Sequence, residues 1–67
     1  MIEQLSPRER EVLALIGAGM SNKEIADRLH VGVTTVKTHV GNLMTKTGTP
    51  NRIHLAILAG RAGVIPG

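Results

Sequence analysis

The side chains that could do covalent or metal chemistry in this sequence are its serines and its three histidines. Ser6 and Ser21 each stand three residues before a glutamate, a spacing typical of helix N-caps, and the sequence places no histidine to activate either hydroxyl. No two of His30, His39 and His54 are four residues apart, so they do not form the ligand pair that one helix face presents to zinc. The sequence has no cysteine, no glycine-rich phosphate loop and no paired acids. It therefore predicts neither an enzyme nor a metal or cofactor site.

A second group of side chains has the chemistry to read a nucleic acid. Small polar residues recur every three or four positions, flanked by Lys37 and Asn42, at Thr34, Thr38, Gly41 and Thr45. On a helix this spacing places them on one side, and we call these six residues the polar strip. Small side chains let a helix backbone approach base edges in the DNA major groove, while lysine and asparagine supply hydrogen-bond donors. The polar strip favours a helix that reads double-stranded DNA.

The charge of the chain suits a polyanionic partner. Eight Lys and Arg against five Asp and Glu give a formal net charge of +3. A nuclease, a ribosomal fragment or a membrane-surface peptide could carry the same balance. The absence of Phe, Trp and Tyr argues against readers of RNA and single strands, which stack bases on aromatic rings. No apolar run approaches the roughly 20 residues of a membrane span, and no signal-like segment is visible, so we expect a soluble protein.

Four helices must position the polar strip, and each has a start or stop signal. Two Ser-x-x-Glu capping boxes open the first two helices, and the apolar periodicity predicts helices over about 7–18, 22–29, 33–47 and 51–62. Gly17 and Gly19 are expected to end the first helix, Gly48 the third and Gly63 the fourth. Gly32 is expected either to take a positive φ or to act as an N-cap without a side chain. The fold class is therefore all-α, with four helices in one domain.

One modest core is all that 67 residues can hold, because a domain of this size buries only about 60% of its unfolded surface. The ordered part is expected to span about 5–65, with residues 1–4 and 66–67 as tails. The predicted inner positions are Val12, Leu13, Ile16 and Met20, then Ile25, Ala26 and Leu29, then Val36, Val40, Leu43 and Thr47 with Val33 and Met44 at the margin, then Leu55, Ala56 and Ala59.

The fourth helix has apolar residues on two sides. Ile57 points away from the predicted inner face, with His54, Leu58 and Arg61 beside it. A helix apolar on both sides has more surface to bury than one small core accepts. A dimer interface formed by these four residues would explain the excess.

The second helix, a turn of about three residues and the third helix make a helix-turn-helix arrangement. Ala26 stands where two crossing helices demand a small side chain. Five short motifs follow one another along the chain: residues 5–13 (LSPREREVL), 21–26 (SNKEIA), 35–40 (TVKTHV), 46–48 (KTG) and 51–52 (NR). In these motifs and in their order the chain resembles the LuxR-type DNA-binding domain, the NarL/FixJ and GerE-like family, over about residues 5–65.

The resemblance implies sites as well as a fold. It implies a four-helix domain whose fourth helix forms the dimer interface on DNA. The positions implied to face bases are Lys37, Thr38 and Gly41, joined by Thr34 on the same strip; those implied near phosphates are Asn22, Lys23, Thr35 and Arg52, then His39, Asn42 and Lys46. Two residues depart from the family pattern. Gly41 replaces a longer side chain, and Gly32 replaces a Ser or Thr.

The function implied is transcription regulation by sequence-specific binding to double-stranded DNA, as a homodimer on an inverted repeat. The domain would belong to a larger parent protein, a bacterial two-component response regulator in the cytoplasm, at the nucleoid. RNA polymerase would be a further partner, and this domain would bind no small-molecule ligand. Two alternatives stay open: a stand-alone GerE-like regulator, and a helical module that contacts sigma factor or polymerase. Lys23, Lys37 and Lys46 could also be ordinary solvated lysines. Asn22 and Thr35 could simply support helix starts.

Overall fold

A computed structural model describes residues 4–64, which form four α-helices joined by short turns. The helices are α1 Pro7–Gly17, α2 Asn22–Leu29, α3 Val33–Thr47 and α4 Arg52–Ala62. The all-α prediction is confirmed, although α1 ends one residue earlier and α4 begins one residue later than the sequence indicated. Of the predicted tails only Gln4 lies within the described residues, and Ile65 at the end of the predicted core lies outside them. No helix within residues 4–64 is long and apolar enough to cross a membrane.

The helix starts follow the local signals. The Ser6 and Ser21 hydroxyls each accept from the backbone N–H three residues later at 3.1 Å, and Glu9 and Glu24 each accept from the serine N–H at 2.8 Å. Both capping boxes are therefore closed, which satisfies two otherwise unpaired donors at each helix start. The Asn51 side chain caps α4 in the same manner, from the His54 N–H at 3.0 Å. The positions of these caps fix where three of the four helices begin.

The turn between α2 and α3 uses a different residue from the one the sequence favoured for a left-handed backbone. Gly32 has φ −77° and caps α3 without a side chain, so of its two predicted roles only the second is confirmed. The left-handed residue is His30, with φ 57°. A non-glycine residue in this conformation is strained, and here it lets the chain leave α2 and enter α3 within three residues.

Gly17 and Gly19 mark the end of α1, as expected. Gly17 is the last residue of α1, Ala18 caps the helix, and the positive φ of 87° falls on Gly19. A Cβ atom at Gly17 would lie 2.7 Å from the Cβ of Ala59 in α4. Gly17 is therefore needed because α1 and α4 cross at close range there. By contrast, Gly48 and Gly63 end α3 and α4 with φ near 68° and 69°, as expected.

One core connects all four helices. Its fully buried side chains are Val12, Leu13, Ile25, Val36, Leu43 and Leu55. Ala26 and Ala59 are buried as well, while Met20, Leu29, Met44 and Ala56 pack at the core margin. Leu5 and Leu15 are also buried, which the apolar periodicity alone did not indicate. The core fixes the rotation of α3, because Val36, Val40, Leu43 and Thr47 all face inward.

Candidate nucleic-acid interface

The side of α3 opposite its buried residues is exposed and carries the polar strip. With every fourth or third residue from Val36 to Thr47 turned inward, the polar strip must point outward. All its members are exposed except Gly41, which is partly covered. The structure therefore brings Lys37, Thr38 and Thr34, predicted from the sequence to face bases, onto one accessible surface.

Two threonines of the polar strip, Thr38 and Thr45, present acceptors rather than donors. The Thr38 hydroxyl donates to the Thr34 carbonyl and the Thr45 hydroxyl to the Gly41 carbonyl, both at 3.1 Å. Their hydroxyl protons are used inside the helix, so each offers a methyl group and oxygen lone pairs outward. Lys37 and Asn42 carry the strip's side-chain N–H donors. This mixture matches the major groove, where thymine methyls, acceptors on guanine and donors on adenine and cytosine occur side by side.

Gly41 leaves a gap in the middle of the strip. A Cβ atom placed at Gly41 would meet no atom within 4 Å, and the backbone there is helical. Packing inside the domain therefore does not require glycine. Glycine weakens the helix at this point and gives nothing to the core, so a reason for it has to be sought outside the domain.

Replacement of Gly41 with alanine is expected to stabilise the domain and weaken its binding to DNA. The free energy of unfolding should rise by about 0.5–1 kcal/mol, because alanine is the better helix former and its methyl has room. Affinity for a half-site duplex should fall, since the methyl would hold the α3 backbone away from the bases. Gly60→Ala in α4, also open, is the matched control that stabilises without this loss. A stabilised Gly41 variant with unchanged affinity would contradict the steric role.

The groups implied near phosphates lie around the start of α2 and along the edges of α3. Lys23 and Thr35 are exposed, and Asn22 and His39 are half-buried. Arg52 is half-buried and donates through Nη1 to Asn22 Oδ1 and through Nη2 to the Met20 carbonyl, both at 2.5 Å. The structure thus brings Arg52 and Asn22 together, with both of these guanidinium bonds made to the protein. Their 30-residue separation gives no sequence signal for this pair.

Lys46 also has a partner within the domain. Its Nζ lies 2.9 Å from Glu9 Oε1, and the Glu9 side chain is only 6% exposed. The ion pair ties the start of α1 to the last turn of α3, and the sequence indicated only the capping role of Glu9. The Ser6 backbone N–H, and after it the Lys46 ammonium, lower the pKa of Glu9. The Ser21 backbone N–H lowers the pKa of Glu24 in the exposed box in the same way.

The two capping boxes predict an acid-sensitive domain. A lowered carboxyl pKa contributes stability that is complete above the ordinary value of 4.5 and is lost as pH falls through the lower folded-state pKa. The melting temperature should therefore drop on acidification below that value. Glu9→Gln should lower it at neutral pH and reduce the acid-dependent fall, because the amide can still accept from Ser6 but cannot pair with Lys46.

Glu24→Gln is the matched control, since Glu24 has the same box without the lysine. It should cost less stability than Glu9→Gln in circular dichroism melts recorded from about pH 7 to about pH 3. Equal losses from the two variants would show that the Lys46 pair contributes nothing.

The outward side of α4 carries two large exposed apolar side chains. Ile57 is 50% exposed, as expected for a residue outside the core, and Ile53, one turn earlier, is 71% exposed. The sequence reasoning missed Ile53, although its spacing of four from Ile57 could have identified it. We define the α4 outer surface as Ile53, His54, Ile57, Leu58 and Arg61; of these only Leu58 is half-buried and the rest are exposed.

Comparison with known proteins identifies the family. The family of bacterial regulatory proteins called luxR, of the GerE type, matches residues 3–59. A transcriptional regulatory protein of Bacillus subtilis, LnrK, is 47% identical over 90% of this chain and 27% of its own length. The response regulator protein VraR of Staphylococcus aureus is 44% identical over 88% of this chain and 28% of its own.

A putative HTH-type transcriptional regulator of Mycobacterium tuberculosis is 46% identical over 88% of this chain and 7% of its own length. The chain thus spans less than a third of each of these relatives. The family match covers most of its 67 residues, including α2, the turn and all of α3. The chain belongs to the LuxR family of bacterial regulatory proteins, and it is a helix-turn-helix DNA-binding domain of that family.

Proposed function

We propose that this domain reads a specific base sequence by placing α3 in the major groove of double-stranded DNA. The observation that carries the proposal is the polar strip, which the core turns outward along the whole length of α3. In helix-turn-helix domains the second helix reads base edges while the first crosses the backbone. Here α3 is the second helix, and α2 ends at the strained His30 turn that leads into it.

The proposed contacts divide into base and phosphate contacts. Lys37, Thr38, Gly41 and Thr34 face bases, with the Lys37 ammonium suited to the acceptors of guanine and the Thr38 methyl to thymine. Phosphates are approached by Asn22, Lys23, Thr35, His39 and Asn42. Lys46 would join them by exchanging Glu9 for a phosphate, and Arg52 differs because its bonds to Asn22 and Met20 hold it inside the domain.

The proposed assembly on DNA is a homodimer on an inverted repeat, joined through the α4 outer surface. Two apolar side chains one helical turn apart, with polar groups around them, suit a small isologous contact. The parent we propose is a response regulator in which phosphorylation of a receiver domain frees or dimerises this module. VraR, one of the similar proteins, is a response regulator, and it is several times longer than this chain. Such a protein acts on chromosomal DNA in the bacterial nucleoid, where RNA polymerase is a further partner.

The test begins with selection of bound sites from a pool of random duplexes. A selected duplex is then titrated into the isotope-labelled domain, and backbone amide shifts are recorded. We expect the largest shifts in α3 and at the start of α2. If α3 amides stay unchanged while added sigma factor or polymerase shifts α4, the domain is a protein-interaction module and the proposed function is wrong.

A further inference from the structure

Arg52 joins two segments that are distant in sequence and are both next to the proposed DNA surface. It is the first residue of α4, and its guanidinium donates to the side chain of Asn22, the first residue of α2, and to the carbonyl of Met20, two residues earlier. Both acceptors are uncharged. Arg52 thus connects the start of α4 to the start of α2, where the helix that crosses the DNA backbone begins.

This contact fixes the orientation of the Asn22 carboxamide. Arginine has five N–H donors and no acceptor, so the amide atom facing it must be the oxygen. The Asn22 NH2 group, on the other side of the same carbon, is then directed away from the guanidinium. It lies at the α2 N-terminus with the backbone N–H groups of Asn22 and Lys23, which have no acceptor within the helix. The helix dipole also favours an anion at this end of α2.

We infer that Arg52 is a positioning residue for DNA binding, which acts by holding the Asn22 amide with its NH2 group toward a phosphate. The inference rests on the proposed function, in which the start of α2 lies on the DNA backbone. It replaces the direct phosphate contact that the family resemblance implied for Arg52. The guanidinium is half-buried, and it is held by its hydrogen bonds to Asn22 and Met20 beside the start of α2.

Asn22→Asp is the variant that tests the orientation without endangering the fold. The carboxylate keeps an acceptor for Arg52 and is favourable at a helix N-terminus, so the melting temperature should be retained or raised. It has no NH2 group and brings a negative charge toward the phosphate. Affinity for the operator and for an unrelated duplex should therefore fall by about tenfold or more, the equivalent of about 1.4 kcal/mol. Wild-type affinity in this variant would overturn the inference.

A double-mutant cycle tests whether Arg52 acts through Asn22. Arg52→Lys keeps the charge but loses the planar fork that holds two acceptors. It should weaken binding to every duplex by about the same factor as Asn22→Ala, and the double variant should be no weaker than either single one. When Arg52→Lys is instead combined with Lys23→Ala, the two effects are expected to be independent. The factors by which the single variants weaken binding should then multiply. Losses that multiply for Arg52 and Asn22 would show that Arg52 touches DNA by itself.

Two outcomes separate this inference from the proposed function. If Asn22→Ala weakens binding in a folded protein and Arg52→Lys does not, the inference fails and the function stands. If neither Asn22→Ala nor Lys23→Ala changes affinity for any duplex, the start of α2 does not lie on DNA and the proposed docking fails with it. The side-chain amide signal of Asn22 provides a readout without DNA, because Arg52→Lys should shift it in the free domain.

Discussion

Replacement of Lys37 with alanine is expected to make the domain bind its operator little better than an operator with one altered base pair. Lys37 lies on the exposed side of α3, and its ammonium is one of the donors that the polar strip presents. Loss of such a base contact typically costs about 1–3 kcal/mol of discrimination, roughly 5- to 150-fold in affinity ratio. Affinity for an unrelated duplex should change far less.

Lys23→Ala is the matched control, because it removes the same side chain and the same charge from an exposed position at the start of α2. A phosphate contact carries no sequence information, so this variant should weaken all duplexes alike and reduce the salt slope by about one unit. Each protein is titrated with an operator, a point-mutated operator and an unrelated duplex over a series of salt concentrations. Equal weakening of all three duplexes by Lys37→Ala would make Lys37 a phosphate contact instead of a base contact.

The helices could be predicted from the sequence because their signals are local. A capping box spans four residues, so Ser6 and Ser21 locate the starts of α1 and α2 without knowledge of the rest of the fold. Gly48 likewise ends α3 through its own left-handed backbone. The exposure of the polar strip could also be predicted, because identifying the apolar side of α3 determines which side remains exposed. The sequence could therefore predict which side of α3 is exposed and is proposed to contact DNA.

The individual contacts within the site were less predictable, because they depend on distant helices. Lys46 looked like a free cation until α3 was placed beside the start of α1, where Glu9 is buried. Arg52 matched a phosphate position of the family, yet its donors meet Asn22 and Met20. Gly17 resembled a helix stop, but the need for glycine comes from α4. No spacing rule within one helix carries information about any of these partners.

Replacement of Ile57 with glutamate is expected to abolish the preference for an inverted repeat over a single half-site. Ile57 is 50% exposed, so the fold does not depend on it as it does on the fully buried Leu55. Burying a whole isoleucine side chain contributes about 1.5–3 kcal/mol. A twofold dimer buries the exposed half of Ile57 in each of its two protomers, which together amount to one whole side chain. The cooperative part of binding should therefore fall by roughly 10- to 150-fold, while far-ultraviolet circular dichroism stays helical.

Binding to a single half-site serves as the internal control, because one protomer engages it without a partner. Ile57→Gln separates the loss of apolar contact from the added negative charge, which by itself weakens binding to any DNA. Both variants should lose the extra affinity for the inverted repeat. The glutamine variant should keep the half-site affinity of the wild type, and the glutamate variant should differ from it only by the effect of its charge. Ile53→Gln should weaken the repeat in the same direction, because Ile53 lies one turn away on the same surface. Unfolding of the Ile57 variants would place Ile57 in the core, and an undiminished preference of the glutamine variant for the repeat would remove the α4 outer surface from the dimer.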